Sequence, residues 1–216
     1  MKRLFVSVTV VLVAVLTSNA QYFVGGTVGM DFSSGKTKSG NITTNDPSMF
    51  MFEISPSVGF YQNDKFAIGF EAGIERSVRN YKSNPTNKRF TTQWGIGAFG
   101  RYHLVDVNDF ALILKGTLGF QSYKTKSKYG STSNESDPTN LIGLFVLPVL
   151  SYNLTEHLSI EADCDFLRFG YFRSSYKSGN TKEIENYFGF GANYGDSEIL
   201  KGYISNIFAI GIVYKF

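Results

Sequence analysis

The sequence has 216 residues and carries 21 lysines and arginines against 18 aspartates and glutamates. This near balance gives no basis for nucleic-acid binding, and the single cysteine, Cys164, excludes an intramolecular disulfide framework and has no companion for a metal site. After the first twenty residues there is no run of 18 apolar residues, while glycine, phenylalanine and tyrosine are abundant, so an all-β chain is expected.

The first twenty residues have the pattern of a secretory signal peptide. Lys2 and Arg3 precede an uncharged, mostly apolar run of 13 residues (4–16), and small residues follow as far as Ala20. At about 1.5 Å per residue such a run is too short for a helix to cross a hydrocarbon core of about 30 Å. We expect cleavage after Ala20, which leaves 21–216 as one domain with 19 basic and 18 acidic residues.

Alternation with a period of two residues predicts eight strands in the rest of the chain. Within them the bulky apolar residues fall on even numbers, as in Phe66, Ile68 and Phe70, and no even position is charged. The odd positions hold mostly small residues and nearly all of the strand charges. The predicted strands are 22–32, 50–60, 66–74, 94–104, 110–120, 142–154, 158–166 and 208–216.

The size of the even-numbered residues decides which face they occupy. Alternation alone also fits a soluble barrel with its apolar residues inside. However, an eight-stranded barrel has an interior only just wide enough for side chains, and this many Phe, Leu, Ile and Tyr side chains would overfill it. The sequence therefore predicts an eight-stranded antiparallel transmembrane β-barrel of the up-and-down type, with the bulky residues facing lipid.

The connections alternate strictly between short and long. The short ones are 61–65, 105–109 and 155–157, and the long polar ones are 33–49, 75–89, 121–141 and 173–201. This predicts periplasmic turns, four long extracellular loops and both termini at the periplasmic end. Two aromatic girdles are expected, a periplasmic one at Tyr22, Phe60, Phe66, Tyr102, Phe110, Tyr152 and Tyr214 and an outer one at Phe32, Phe50, Trp94, Phe120 and Phe169.

Two prolines interrupt this pattern. Pro56 and Pro148 lie inside predicted strands, where each removes a hydrogen-bond donor, and a closed barrel has no edge strand to hold them. We expect a bulge or a missing hydrogen bond at each.

Two segments resemble a known family. Residues 54–60 (ISPSVGF) with 63–70 (NDKFAIGF) resemble the second hairpin of bacterial outer-membrane β-barrel domain proteins, which include small eight-stranded barrels. The ending 210–216 (IGIVYKF) is similar to the signature that the barrel assembly machinery reads. The resemblance implies a Gram-negative outer membrane as location, outer-membrane lipid, lipopolysaccharide and that machinery as partners, no cofactor, and no particular activity. The assembly signal would comprise Phe208, Ile210, Ile212, Tyr214 and Phe216.

Charges on the odd face are the first candidates for chemistry. Glu71, Arg101 and Lys115 lie on neighbouring strands, and Glu53 joins them from the strand before. We expect a buried ion cluster that fills the lumen and sets the register, the alternative being a gate or ion path.

A second group of charges lies on strand seven, where Glu161, Asp163 and Asp165 form an acidic ladder. A hydrated polar interior is favoured there, with a cation site as the alternative.

An acyl-transfer site of a lipid A-modifying enzyme is disfavoured. Such an enzyme needs a base near the outer leaflet, whereas His103 and His157, the only histidines, fall near the periplasmic end. Cys164 belongs to the lipid-facing set and is interpreted as a small apolar filler.

The fourth long connection is rich in aromatic residues, which are Tyr187, Phe188, Phe190 and Tyr194, outside the predicted membrane band. They either extend strands seven and eight above the lipid or present a surface to a partner. The sequence thus favours a monomeric, non-enzymatic outer-membrane barrel with a structural or surface-interaction role. A narrow channel for small solutes and a lipid A-modifying enzyme are the alternatives.

Overall fold

A computed structural model describes residues 21–39, 42–45, 47–81, 87–164, 167–178, 181–190 and 208–216. No helix among them is long and apolar enough to cross a membrane. The signal peptide predicted for residues 1–20 lies outside the described residues. The strands are β1 (Tyr22–Ser33), β2 (Lys36–Ser39), β3 (Ile42–Asn45), β4 (Ser48–Asn63), β5 (Phe66–Asn80), β6 (Lys88–Val107), β7 (Phe110–Tyr129), β8 (Thr132–Glu135), β9 (Thr139–Asn153), β10 (Leu158–Cys164), β11 (Phe169–Ser178), β12 (Thr181–Phe190) and β13 (Phe208–Lys215).

Eight of the described strands close into an antiparallel barrel. Each pairs with the next in the order β1, β4, β5, β6, β7, β9, β10 and β13, and β13 then pairs with β1. Closure leaves the wall without a free edge within the described membrane-spanning part, which is what lipid requires of a spanning sheet. The prediction of an eight-stranded antiparallel barrel is confirmed.

The strands are staggered around the barrel. A path that steps from each residue to its partner on the next strand can be followed once around the barrel. It starts on β9 at Leu150, passes through Ala162, Ile210 and Val28, and returns to β9 at Asn140, ten residues away. Such a stagger requires the strands to tilt by about 40° from the barrel axis. Residues that pair directly therefore lie at different heights, and the height of a side chain depends on its strand as well as its position.

The two faces of the wall follow the predicted alternation through most of the barrel. Phe70 is 70% exposed on the outer face, whereas Phe99, on the neighbouring strand β6, is 4% exposed in the lumen. The outward set is apolar over the height that a bilayer would cover. Its members with large exposure include Val24, Met30, Phe32, Val58, Phe70, Ile74, Ile96, Leu118, Ile142, Leu150, Ile210 and Ile212.

The long connections differ from the predicted loops, because much of their described length continues the wall. β5 runs to Asn80, and β6 begins at Lys88, where it pairs with Lys128 of β7. Beyond the lipid both faces of a strand meet water, so the apolar alternation that revealed the membrane-spanning strands fades there. Backbone pairing nevertheless continues, and that pairing holds the extensions together.

The seventh strand of the barrel, which consists of β10 and its continuation β11, contains an insertion that the sequence pattern did not reveal. β10 pairs with β9 as far as Asp163 opposite Val149, and β11 resumes at Phe169 opposite Val146. From Asp163 to Phe169 the chain advances six residues, whereas the paired strand β9 advances only three, from Val149 to Val146. Three extra residues are therefore inserted between β10 and β11. Because three is odd, the faces exchange in β11: Tyr171 is 46% exposed and Phe172 is 2% exposed.

Cys164 lies at the start of this insertion. It still pairs with Phe208 of β13, but it is only 4% exposed, so the prediction that it is exposed to lipid is wrong.

Both prolines lie at interruptions of the ladder, as expected. Between β4 and β5 the pairing passes from Ile54 to Ser57 and omits Pro56 without a change of register. The β9–β10 ladder ends at Val149, so Pro148 lies just beyond its last pair. Each proline remains paired on its other side, Pro56 with Gly26 and Pro148 with Leu114.

Candidate functional site

The lumen is filled by inward-facing apolar side chains near the end that carries the short turns, which is the predicted periplasmic end. Phe23, Ala67, Phe99 and Val213 are each less than 5% exposed and pack together, with Tyr61 against them. A second group packs on the opposite wall and consists of Ala111, Ile113, Leu147 and Val149. These residues are odd-numbered, so the alternation correctly predicts that they face the lumen. Several of them are aromatic or branched, however, and they fill the interior more completely than the mostly small odd-numbered residues suggested.

Two buried cations lie among these side chains. Lys115 Nζ is 2.7 Å from Glu71 Oε2 and 3.9 Å from Asp163 Oδ2, and it lies 5.2 Å from the centre of the Phe99 ring. The second cation, Arg101, forms an ion pair with Glu161 and lies 5.6 Å from the centre of the Phe23 ring. Each cation is therefore held between a carboxylate and an aromatic face, which is a stable arrangement for a charge removed from water.

The structure groups the predicted lumen charges differently from the sequence. Glu71 and Lys115 come together, but Arg101 reaches across the lumen from β6 to Glu161 on β10 instead of joining a neighbouring strand. A narrow interior lets side chains on opposite walls meet, and a strand-order argument does not predict such pairs. Glu53 accepts a hydrogen bond from Ser55 Oγ at 3.1 Å.

The predicted acidic ladder is divided between the two cations. Glu161 contacts Arg101, and Asp163 lies near Lys115. The third member, Asp165, lies outside the described residues. The described part of the ladder therefore belongs to the same network as the basic residues, which lowers its capacity to bind an added cation. Within the described ranges, no group of three His, Cys, Asp or Glu side chains is arranged to hold a metal ion.

A polar cavity of about 150 Å³ lies in the lumen beside Lys115. Its lining includes Glu75, Gln93, Gln121 and Arg168. The guanidinium of Arg168 lies 5.3 Å from the centre of the Phe145 ring. Arg168 was missed from the sequence because it lies beyond the end of the predicted strand 158–166, so the alternation assigned no face to its side chain.

The histidines lie at the end of the barrel that carries the short turns. His103 is buried, with Nδ1 2.8 Å from Asp106 Oδ1 and Nε2 3.5 Å from the Tyr61 hydroxyl. His157 lies in the turn before β10, where Nδ1 is 3.0 Å from the carbonyl oxygen of Lys215. Neither ring is near the outer rim, where a lipid A-modifying enzyme would need its base.

At the outer end, β11 and β12 form a hairpin that carries the predicted loop aromatics. Phe188 pairs with Tyr171, and Tyr171 pairs with Leu144 on the outer face of β9. Because of the stagger, Phe188 lies about two residues higher along the barrel axis than Leu144, at the level of Ile142. Phe188 and Phe190 are 71% and 67% exposed on the outer face. They lie on the same outer face as the apolar side chains of β9. Their position outside the membrane band stays a prediction.

The remaining aromatics of this segment have different environments. Tyr187 faces inward and stacks on Phe172 with a centroid distance of 5.0 Å. Tyr194 lies outside the described residues. Beside Tyr187 the hydroxyl of Tyr176 donates a hydrogen bond to Glu183 Oε2 at 2.6 Å. This bond favours the neutral phenol and raises the pKa of Tyr176 above its usual value.

The terminal strand completes the wall at its periplasmic end. The Phe216 amide donates to the Tyr22 carbonyl at 2.9 Å, and the Phe216 ring meets Tyr214 edge-on at 5.1 Å between centroids. Ile210 and Ile212 are more than half exposed on the same outer face. Phe208 occupies the next even position of β13, opposite Cys164 of β10.

Comparison with solved structures agrees with this architecture. A major outer membrane protein from Thermus thermophilus aligns over 92% of this chain and 100% of its own at 12% identity, with a TM-score of 0.51. Neisserial surface protein A aligns over the same shares at 17% identity and a TM-score of 0.41. Ail, the attachment invasion locus protein of Yersinia pestis, also aligns over these shares, at 12% identity and a TM-score of 0.44. No protein-family model and no curated protein matches the sequence. The Thermus likeness shows the fold alone.

Proposed function

We propose that this chain, which has the fold of a bacterial outer-membrane β-barrel, has a structural or surface-interaction role and neither conducts solutes nor catalyses a reaction. The barrel presents a continuous apolar outer face between two rows of aromatic side chains, which is the surface that a bilayer-spanning barrel needs. Its location is the outer membrane.

The observation that carries this proposal is the filled lumen. Phe23 and Phe99 cover the interior from one side, and the ion pairs of Arg101 and Lys115 occupy the space between the walls at the level of these rings, so the polar cavity beside Lys115 does not continue past them as an open path. A path for ions or solutes would require these pairs to separate in a region of low dielectric constant, at a cost of several kcal/mol. The parts free to act are therefore the outer wall and the strand extensions above the lipid.

The same geometry supports a proposal for the surroundings of the protein. We place the protein as a monomer in outer-membrane lipid and lipopolysaccharide, because its outward residues suit lipid on every described side. The alternating apolar residues that end at Phe216 support insertion by the barrel assembly machinery. The extensions β6–β7 and β11–β12, with the remaining links of the predicted four loops, are its exposed parts.

Two measurements test the proposal. Single-channel recordings of the purified barrel in planar bilayers should show no conductance, and steady current steps would instead support the narrow channel.

For the surface role, residues 174–185 are replaced by Asn-Gly, which can join the paired residues Arg173 and Asn186 through a two-residue turn. Binding to a panel of purified glycans and surface proteins should fall in this variant, while replacement of residues 130–131 between β7 and β8 by Asn-Gly should leave it unchanged. Identical binding profiles for both variants and the parent protein would count against a role for the β11–β12 hairpin.

A further inference from the structure

A shallow groove of about 350 Å³ crosses the outer wall over β7, β9, β11 and β12. One part of its lining is apolar and includes Phe120, Ile142 and Ile184. The other part carries two cations, Arg173 and Lys182, whose side chains are exposed. An apolar surface adjoining two cations is the pattern expected for a ligand that is itself amphipathic and anionic.

The groove lies at the boundary between hydrocarbon and headgroups. Phe120 belongs to the outer aromatic girdle, where its ring lies 5.6 Å from that of Trp94. Arg173 pairs in the sheet with Ile142, the last large apolar residue on the outer face of β9, where Asn140 is the next position. Arg173 therefore stands at the upper edge of the apolar band, where lipid phosphates are found, while Phe120 and Ile142 reach the acyl chains.

The exchange of faces in β11 creates the charge of this groove. Because of the inserted residues, odd-numbered Arg173 faces lipid, and the carboxylates of Glu183 and Glu185 face the interior, where both meet the hydroxyl of Tyr176. No carboxylate is among the described residues that line the groove. The two cations thus face the membrane without an acidic side chain beside them in this lining, which leaves a positive potential for an anionic headgroup.

We propose that this groove binds an outer-leaflet lipid with a phosphorylated headgroup, whose phosphate lies between Arg173 and Lys182 and whose acyl chain lies along Phe120 and Ile142. The guanidinium of Arg173 can donate two parallel hydrogen bonds to one phosphate, and Lys182 adds a point charge. This proposal rests on the proposed membrane location and gives the interaction surface one defined ligand class.

The test compares two double variants that each remove two outward-facing cations. R173Q/K182Q changes the groove, and K88Q/K128Q changes a pair on β6 and β7 that lies outside it. Each purified barrel is titrated in detergent with bisphosphorylated lipid A and with its dephosphorylated form, and bound lipid is counted by native mass spectrometry. Heat-modifiable migration on gels shows that each variant is folded before titration.

The parent protein and K88Q/K128Q should prefer the phosphorylated lipid by about 25-fold, and R173Q/K182Q should lose most of that preference, since each of the two basic residues near a lipid surface contributes about fivefold to binding. An unchanged preference in R173Q/K182Q would overturn the proposal. Equal losses in both double variants would also overturn it, because they would indicate a diffuse charge effect. The hairpin replacement also removes Lys182, but its readout is binding of glycans and surface proteins, whereas the readout here is the preference between two lipids. Failure here is therefore distinguishable from failure of the proposed function.

Discussion

Lys115 illustrates how single residues hold the lumen together. Its ammonium is flanked by Glu71 at 2.7 Å and Asp163 at 3.9 Å, with side-chain exposures of 16%, 23% and 13% for the three residues. Charges this far from water are costly unless they are paired, so the network stabilises the barrel chiefly by avoiding an uncompensated charge. The glycines facing the same space have a complementary role: a Cβ at Gly69 would collide with the Val58 carbonyl oxygen and the Phe99 ring.

We expect Lys115→Met to lower the free energy of unfolding by about 3 kcal/mol, because Glu71 then remains buried without its cation. The measurement is a urea titration in lipid vesicles, followed by tryptophan fluorescence. The control is Lys124→Met, which breaks the pair with Glu135 at 2.5 Å, where both side chains are about half exposed. Its unfolding midpoint should hardly move. Equal destabilisation by both substitutions would show that burial of the lumen pair contributes nothing.

The insertion before β11 sets which residues of β10 and β11, the seventh strand of the barrel, face lipid. Below it, the odd-numbered Glu161 and Asp163 face the lumen; above it, Tyr171 faces outward and Phe172 is buried. The same exchange directs Arg168 into the central cavity and Arg173 toward the headgroups. A local irregularity of three residues thus determines the character of the outer hairpin.

Depth-dependent quenching checks this exchange of faces. In a background where the single tryptophan is removed by Trp94→Phe, Tyr171→Trp and Phe172→Trp are introduced separately. Brominated lipids should quench the tryptophan at position 171 strongly and the one at 172 weakly, since only the outward side chain reaches the acyl chains. Uninterrupted alternation predicts the opposite order, and that result would refute the insertion. Ile142→Trp on β9 serves as the outward-facing reference.

For the molecule as a whole, closure depends on the pairing of the first strand with the last. β13 joins β1 by pairs from Phe23 opposite Lys215 to Val28 opposite Ile210. With a stagger of ten residues around eight strands, the aromatic residues of different strands fall at similar heights and form the two girdles. The rings of Phe169 and Phe188, whose centroids are 5.0 Å apart, continue the outer girdle across the hairpin.

Deletion of Phe216 should reduce the folded amount in the outer membrane several-fold and leave the unfolding midpoint of inserted barrels nearly unchanged. The side chain is 65% exposed, so it contributes little packing within the barrel, whereas its place at the end of an alternating apolar series suits recognition during assembly. Phe110→Ala removes a girdle aromatic of similar exposure, 64%, and should assemble normally. Normal insertion of the Phe216 deletion would contradict the assembly role.

The sequence by itself determined the strand count, the lipid-facing set and the periplasmic turns, because a barrel wall in lipid imposes a period of two and a strict difference in size between its faces. It also located Pro56 and Pro148 at breaks in pairing, since a missing donor is a local property.

Only the tertiary structure decided the pairing of Arg101 with Glu161 across the lumen, the inward position of Arg168 and the strand extensions above the lipid. The first depends on the width of the barrel, and the second on the register between β9 and β11. The third arises because pairing continues where both faces meet water and the apolar pattern ends. The groove at Arg173 and Lys182 has the same origin, since four strands bring its residues together and no stretch of sequence contains them.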